Sequence, residues 1–562
     1  MSPPVQTLAI GAGMLTSLAL HFFPMRGDHA AILYFIAPAG FCFAVQSIPS
    51  VDMGLSEAMI LSFKFMLIYT ASALLGTGIY RVSPFHPLAK YPGPWLWRLS
   101  SLRLAYISYL GKRHLILDDL HRKYGPFVRI GPDALSINSL SANRIYGAQL
   151  HMEKGDSYLT PGHPDAVALF FKQKTRGIHT DRKRIWSAAF TGAATSHFVP
   201  ILEQRTWDLV KCIETRQVSS SSKTVELADC LCHWAYDLMG DMVFGGCNNL
   251  ELMKHGDPEN LIYGGKLATL VLDSIGQSPW LMDLIWHLPA GNSMVLLRER
   301  AAAMMRNRVR MDSATTTRDI ASYLLEGVMQ SGEKIPLTDL ELEAVVAIQG
   351  GSDNTSTTMA LAFYFILSAP REYAYYTRLQ AELDAAFPDP LGPLSLESLS
   401  ALPFLNAVLN EALRLGSPFY LPRVVPPGGA IIEGKHLPEN VQVAIAAYSQ
   451  QTSPENFWPE PLEFRPERWL PDGLGPGSRT EKTALFSFSL GPHMCIARAF
   501  AFQEMRHVVA RLVLAYDMAL PSDFNAKQYR DGILNMRTTI LQHALPVNIQ
   551  RRPTVNLNRV VG

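Results

Sequence analysis

The hydrophobic pattern changes period along the chain. Pro4 to Phe23 and Ala30 to Ile48 contain no Asp, Glu, Lys or Arg, and Ala58 to Tyr80 contains only Lys64. Each approaches the roughly 20 apolar residues needed to cross a bilayer. Beyond them, apolar residues recur at helical spacing over Arg182 to Ala189, Ala228 to Val243, Asp339 to Leu367, Arg371 to Phe387, Pro403 to Leu415 and Ile496 to Tyr516. Runs that favour strands, such as Val441 to Tyr448 and Phe127 to Ile130, are short and few. The pattern predicts a mainly α domain with small β-sheets, preceded by up to three transmembrane helices.

Punctuation divides the chain further. Lys90-Tyr-Pro-Gly-Pro94 is stiff, because proline fixes its own φ and disfavours helix at the residue before it. Residues 1–82 therefore read as an anchor, 83–98 as a proline-rich hinge and 99–562 as a single catalytic body without internal repeats. Arg81, Lys90, Arg98, Arg103, Lys112 and Arg113 crowd the region after the third apolar segment. The positive-inside rule assigns that side to the cytosol. With three spans the N-terminus, Asp52 and Glu57 are lumenal and Arg26 is cytosolic. A cleaved leader fits poorly, since the first segment lacks a basic start. One or two spans with an interfacial segment is the alternative.

Charge and cysteine content narrow the chemistry. Fifty Lys and Arg against 49 Asp and Glu leave a net charge of +1, which excludes an electrostatic footprint for nucleic acid. The six cysteines are too scattered for a disulfide framework. Cys230-Leu-Cys232-His233 lacks the second pair that a four-coordinate metal site needs, and its surroundings read as an amphipathic helix.

Three constellations remain. In FSFSLGPHMCIARAF, a turn at Gly491-Pro492 followed by a helix puts Cys495 at the helix N-terminus. Free N–H groups and the positive dipole end there favour a thiolate, so Cys495 is a candidate metal ligand. The second is the longest helical segment, where Thr338 and Glu341 form a capping box and Pro370 ends the helix. Its middle reads Gly350-Gly351-Ser352-Asp353-Asn354-Thr355, with two glycines beside an acid and an amide. Such a stretch either opens a groove for a small ligand or lets two helices pack closely. The third is Glu411 and Arg414, which share a helix face in apolar surroundings that favour a buried ion pair, with Arg468 of Phe464-Arg-Pro-Glu-Arg-Trp469 as a further partner.

Taken together, these motifs resemble the cytochrome P450 haem-thiolate monooxygenases, specifically the membrane-anchored fungal members, from about Pro87 to Pro546. Phe488, Gly491, His493, Cys495 and Ala497 match that family's cysteine loop. Glu411 and Arg414 match its E-x-x-R helix, and Asp353 falls in its oxygen-binding helix. The resemblance implies haem b, with Cys495 as the axial thiolate whose electron donation favours O–O cleavage. It implies cations for the haem propionates, for which His493, Arg423, His179 and Lys183 are the candidates, and it implies Asp353, Asn354 and Thr355 as the catalytic set. In the family a threonine usually follows the helix acid. Here Asn354 stands in that place, and the expectation is that its amide orients a water while Asp353 relays protons.

The resemblance also implies insertion of one oxygen atom from dioxygen into a lipophilic small molecule, in fungal secondary metabolism such as terpenoid biosynthesis. Electrons come from NADPH-cytochrome P450 reductase as a separate chain, because no dinucleotide fingerprint is present. The body faces the cytosol from the endoplasmic reticulum membrane. Val345 to Gln349, Pro418 to Leu421, Gly162 to Phe171 and Leu534 to Met536 are the expected pocket walls. The alternatives are a non-oxygenating haem-thiolate step (isomerisation, dehydration or coupling) and a membrane haem protein without turnover.

Overall fold

The computed structural model describes residues 3–22, 25–47, 53–159, 167–172, 176–289, 292–311, 318–417 and 419–553. Helices dominate, with small sheets beside them. The longest helix, Leu337–Ser368, crosses the centre. It packs against Leu227–Phe244, Asn292–Arg310, Pro403–Gly416 and Arg498–Ala515. The main apolar core forms around it.

The five-stranded sheet runs in the order Phe127–Arg129, Ala134–Ile137, Gln442–Ile445, Arg423–Val424, Glu153–Lys154. One pairing is parallel, Ala134–Ile137 with Gln442–Ile445. The outer pair sets Lys154 opposite Arg423, and this register later brings two cations together.

Several sequence expectations need correction. The central helix begins at Leu337 with Pro336 as its N-cap and no side-chain cap. Thr338 therefore lies inside the first turn, and Glu341 is drawn away by Arg306 Nη1 at 2.7 Å. The expected Val441 to Tyr448 strand covers only Gln442–Ile445, after which the chain turns into the helix Ala447–Gln451. The helix expected from Arg371 is broken at Ala374, whose φ is +46°, so that regular helix spans Tyr375–Ala386. Cys230 and Cys232 are buried core residues of Leu227–Phe244, a helix expected to be amphipathic but enclosed on nearly every side by the core, with only Asp229 exposed.

The anchor region forms three helices, Pro3–Phe22, Gly27–Gln46 and Leu55–Val82. Among the described residues, two helices are long and apolar enough to cross a membrane, Gly27–Gln46 and Leu55–Val82. Pro3–Phe22, expected as a further span, is not one of them; Gln6, Thr7, Thr16, Ser17 and His21 dilute its apolar content. It lies along Leu55–Val82, with Ser17 Oγ 2.8 Å from Thr77 Oγ1. Gly27–Gln46 runs antiparallel to Leu55–Val82, with Phe41 stacked on Phe65 at 4.4 Å and Tyr34 bonded to Thr70. The Gly27 N–H donates to Asp283 Oδ2 at 2.9 Å, which ties this end of the bundle to the body.

Candidate active site

The ion-pair motif is buried completely. Arg414 and Glu411 have fully covered side chains, and all five guanidinium N–H groups of Arg414 find acceptors. Nε and Nη2 donate to Glu411, Nη2 also to Glu463 O, and Nη1 to Gln451 O and Pro461 O. Glu411 accepts in addition from Arg468 Nε, Arg465 N and Trp469 Nε1, each at 2.9 Å. Burial alone raises the carboxyl pKa, but Arg414, Arg468 and the Arg465 N–H together hold it below its ordinary value. This network fastens the Pro459 to Trp469 segment against the helix Pro403–Gly416.

The cysteine loop follows. The helix after it starts at Arg498, with Ala497 as N-cap, so Cys495 precedes the first turn by two residues. Its own N–H donates to Phe488 O at 2.9 Å, and the Ala497 N–H donates to its sulfur. Of the six cysteines only Cys495 is exposed, yet protein surrounds it densely enough that burial pushes its thiol pKa up, against Ala497, Arg498 and Lys183. Its side chain is thus accessible while lying within a dense shell of protein. Gly491 holds the loop at φ +66°, and a Cβ there would sit 2.0 Å from Tyr146 O. Gly491→Ala is therefore expected to cost about 1–3 kcal/mol, read as a lowered urea midpoint of the full chain.

The expected cations converge beside this loop. His493 Nδ1 lies 3.0 Å from His179 Nε2, and Lys183 Nζ donates to Pro492 O. Arg423 is buried, stands 4.9 Å over the Tyr146 ring and has Nε buried without a partner. His493 was expected among these cations, but burial, followed by Arg423, Lys154, His179 and Lys183, drives its pKa far down and favours the neutral imidazole. Lys154 is a basic residue that sequence reasoning missed, and burial, followed by Arg423, pushes its ammonium pKa well down. It is buried and donates to Leu169 O at 2.8 Å and Phe170 O at 2.6 Å. Nothing local marks it, because it reaches Arg423 through a strand pairing that exists only in the folded sheet.

On the central helix, Gly350 is exposed and has open space where a Cβ would be, and Asn354 lies one turn further along. Gly351 serves the other role, since a Cβ there would meet Met239 Cε at 2.5 Å. Close helix packing is thus seen at Gly351, whereas Gly350 faces the open surface. Asp353 Oδ1 accepts from the Tyr236 hydroxyl at 3.0 Å. Burial raises the Asp353 carboxyl pKa to about 6, partly offset by Lys266. Lys266 also lines a cavity of about 180 Å³ with Glu226, Asp229, Cys232, Ser356 and His543. Asn354 Oδ1 is buried without a partner. The Thr355 hydroxyl is committed to Glu504 of the cysteine helix, whose buried carboxyl rises to about 8. Tyr236, Lys266 and Glu504 were not legible as site residues, because nothing local marks them.

Because the folded pKa of Asp353 exceeds the ordinary 3.8, the native state binds this proton more tightly than the unfolded chain. The stability it contributes is present below pH 3.8 and is lost as pH rises through about 6. Asp353→Asn should flatten that part of the stability profile and remove an infrared carboxyl band that titrates near pH 6.

Of the expected pocket walls, Pro418 and residues 162–166 lie outside the described residues. Gln349 Nε2 donates to Gly265 O at 2.7 Å and Thr269 Oγ1 at 2.6 Å, tying the central helix to Leu261–Ile275. Leu169 N donates to Glu343, whose buried carboxyl rises to about 7.

An enclosed thiol beside buried cations, one with an orphaned guanidinium nitrogen, suits an iron porphyrin that carries two carboxylates. The Cytochrome P450 family model matches residues 89–542, and the chain belongs to that family. Its members bind haem iron through a cysteine thiolate and take electrons from a redox-partner reductase to oxidise lipophilic molecules. Cytochrome P450 67 of Uromyces fabae is 30% identical over 530 residues, 91% of this chain and 94% of its own length. Cytochrome P450 monooxygenase astJ of Aspergillus oryzae is 30% identical over 463 residues, covering 79% and 88%. Cytochrome P450 monooxygenase BipB of Cochliobolus sativus is 30% identical over 470 residues, covering 79% and 87%.

Proposed function

We propose that Cys495 is the axial ligand of haem b in a monooxygenase of fungal secondary metabolism that acts on a lipophilic small molecule. The observation that carries this is the enclosed exposure of Cys495, alone among six cysteines, beside Lys183, with Arg423 acting on His493 two residues away. Lys154, Lys183 and Arg423 would hold the haem propionates, and His179 with the neutral His493 would donate hydrogen bonds to them. When bound, the haem supplies dioxygen activation, which the thiolate's electron donation assists.

The remaining roles belong to the chain. Asp353, with a carboxyl pKa near 6, is matched to proton exchange at neutral pH. Lys266 and the acid-lined cavity next to it give that carboxyl a route to solvent protons. The unpartnered Asn354 Oδ1 is placed to hold a water between Asp353 and the open side of the helix at Gly350. Asn354→Ala should therefore lower the product formed per NADPH consumed, with haem content unchanged; unaltered coupling would remove this role.

The hairpin of Gly27–Gln46 and Leu55–Val82 serves as the membrane anchor. Arg81 in its last turn and Lys90, Arg98 and Arg103 after it support a cytosolic body on the endoplasmic reticulum that receives electrons from NADPH-cytochrome P450 reductase. The activity is tested by co-expression with such a reductase under isotopically heavy dioxygen. The expected product carries one heavy oxygen and requires NADPH. A product without it would favour a non-oxygenating step.

A further inference from the structure

A second cationic centre lies one aromatic ring beyond Lys154. The Tyr158 ring is approached by Lys154 Nζ at 5.8 Å and by the Arg537 guanidinium at 4.4 Å. Arg537 sits in the turn between the strands Ile533–Asn535 and Thr539–Leu541. Its side chain is 6% exposed, with Nε 3.5 Å from Asp273 Oδ1 and Nη2 donating to Ser157 O. Asp273, on Leu261–Ile275, is already committed to Arg113, whose Nη2 lies 2.8 Å from Oδ2. Arg113 also donates to Ser108 Oγ and stands 4.4 Å over the Tyr420 ring.

Two buried guanidiniums thus share one buried carboxylate, leaving one positive charge uncompensated. Arg537 Nη1, Thr538 Oγ1 and Ser157 Oγ are all buried without hydrogen-bond partners, as is Asp273 Oδ1, which lies 3.5 Å from Arg537 Nε and so makes an ion pair but no hydrogen bond with it. Burying an unpaired guanidinium is costly unless something completes it. A planar fork with neighbouring hydroxyls is the donor set that a carboxylate fits. The elements that meet here include Tyr420 and the turn after Leu534, both in segments expected to wall the substrate chamber.

We propose that Arg537, with Ser157 and Thr538, binds the carboxylate of the substrate, so that the substrate class is a lipophilic carboxylic acid, of fatty-acid or terpenoid-acid type. This rests on the monooxygenase reading and specifies the substrate of that same site. The carboxylate could instead belong to a haem propionate, and the test separates the two sources.

The full-chain, haem-loaded protein is titrated by equilibrium dialysis with dodecanoate, dodecan-1-ol and methyl dodecanoate, and with abietate and methyl abietate. In at least one series the acid should bind at least about tenfold more tightly than its uncharged analogues. Arg537→Gln should erase that gap while keeping haem content, and Arg537→Lys should restore part of it. If Arg537→Gln fails to fold, Thr538→Val, which should narrow the gap, takes its place. Acids that bind no better than their esters in either series, with absence of binding counted the same way, overturn the inference. So does an acid preference that survives Arg537→Gln, or loss of haem from Arg537→Gln in a folded chain, which would assign the guanidinium to a propionate. A thiolate-type carbon monoxide spectrum recorded on the same preparation keeps the monooxygenase reading standing if only the acid preference fails.

Discussion

Glu411→Ala should leave almost no haem-loaded protein, the largest stability loss expected of any single change to this chain. The substitution strands two buried guanidiniums, Arg414 and Arg468, together with the Trp469 indole N–H and the Arg465 N–H. Removing one partner of a buried pair costs about 3–5 kcal/mol, a large part of the roughly 5–15 kcal/mol that holds a typical domain together. The network joins the helix Pro403–Gly416 to the Pro459–Trp469 segment, so the loss reaches a large part of the core. A urea titration followed by far-ultraviolet circular dichroism measures the effect. An unchanged midpoint would mean that the network contributes nothing net. Glu411→Gln keeps the shape and one acceptor oxygen, so it should fall between Ala and the parent.

Cys495→Ala has the opposite profile, with a small effect on stability and a complete loss of oxygenation. The sulfur makes one hydrogen bond, from the Ala497 N–H, and the loop is held instead by the Gly491 turn against Tyr146 and by the Cys495 N–H bond to Phe488 O. The alanine chain should fold with a midpoint within about 1 kcal/mol of the parent and yield no NADPH-dependent product with reductase. Retained product formation would mean that the iron is held elsewhere.

What the sequence revealed was what local spacing encodes. Glu411 and Arg414 are three residues apart on an apolar helix, so burial of the pair followed from the pattern alone, and Arg468 came from a short proline-bounded segment. The Gly491-Pro492 turn likewise marked Cys495. What stayed hidden depends on chain segments that meet only after folding. Lys154 reaches the site through its strand pairing with Arg423, and Glu504 through the face its helix turns toward Thr355. Local rules also yielded to tertiary contacts: Arg306 takes the Glu341 carboxylate that a capping box needed, and burial, with the basic groups around it, favours a neutral His493. Asp353 and Asn354 were legible as a pair, whereas the Tyr236 and Lys266 contacts that tune Asp353 were not.

The account depends on a bond from sulfur to iron at Cys495. The most direct test is the absorption spectrum of the reduced, carbon monoxide-treated protein, compared with that of Cys495→Ala. The account predicts the strongly red-shifted Soret band of a thiolate-ligated haem in the parent and its absence in the variant. A parent that carries haem without that shift, or a variant that keeps it, would contradict the assignment.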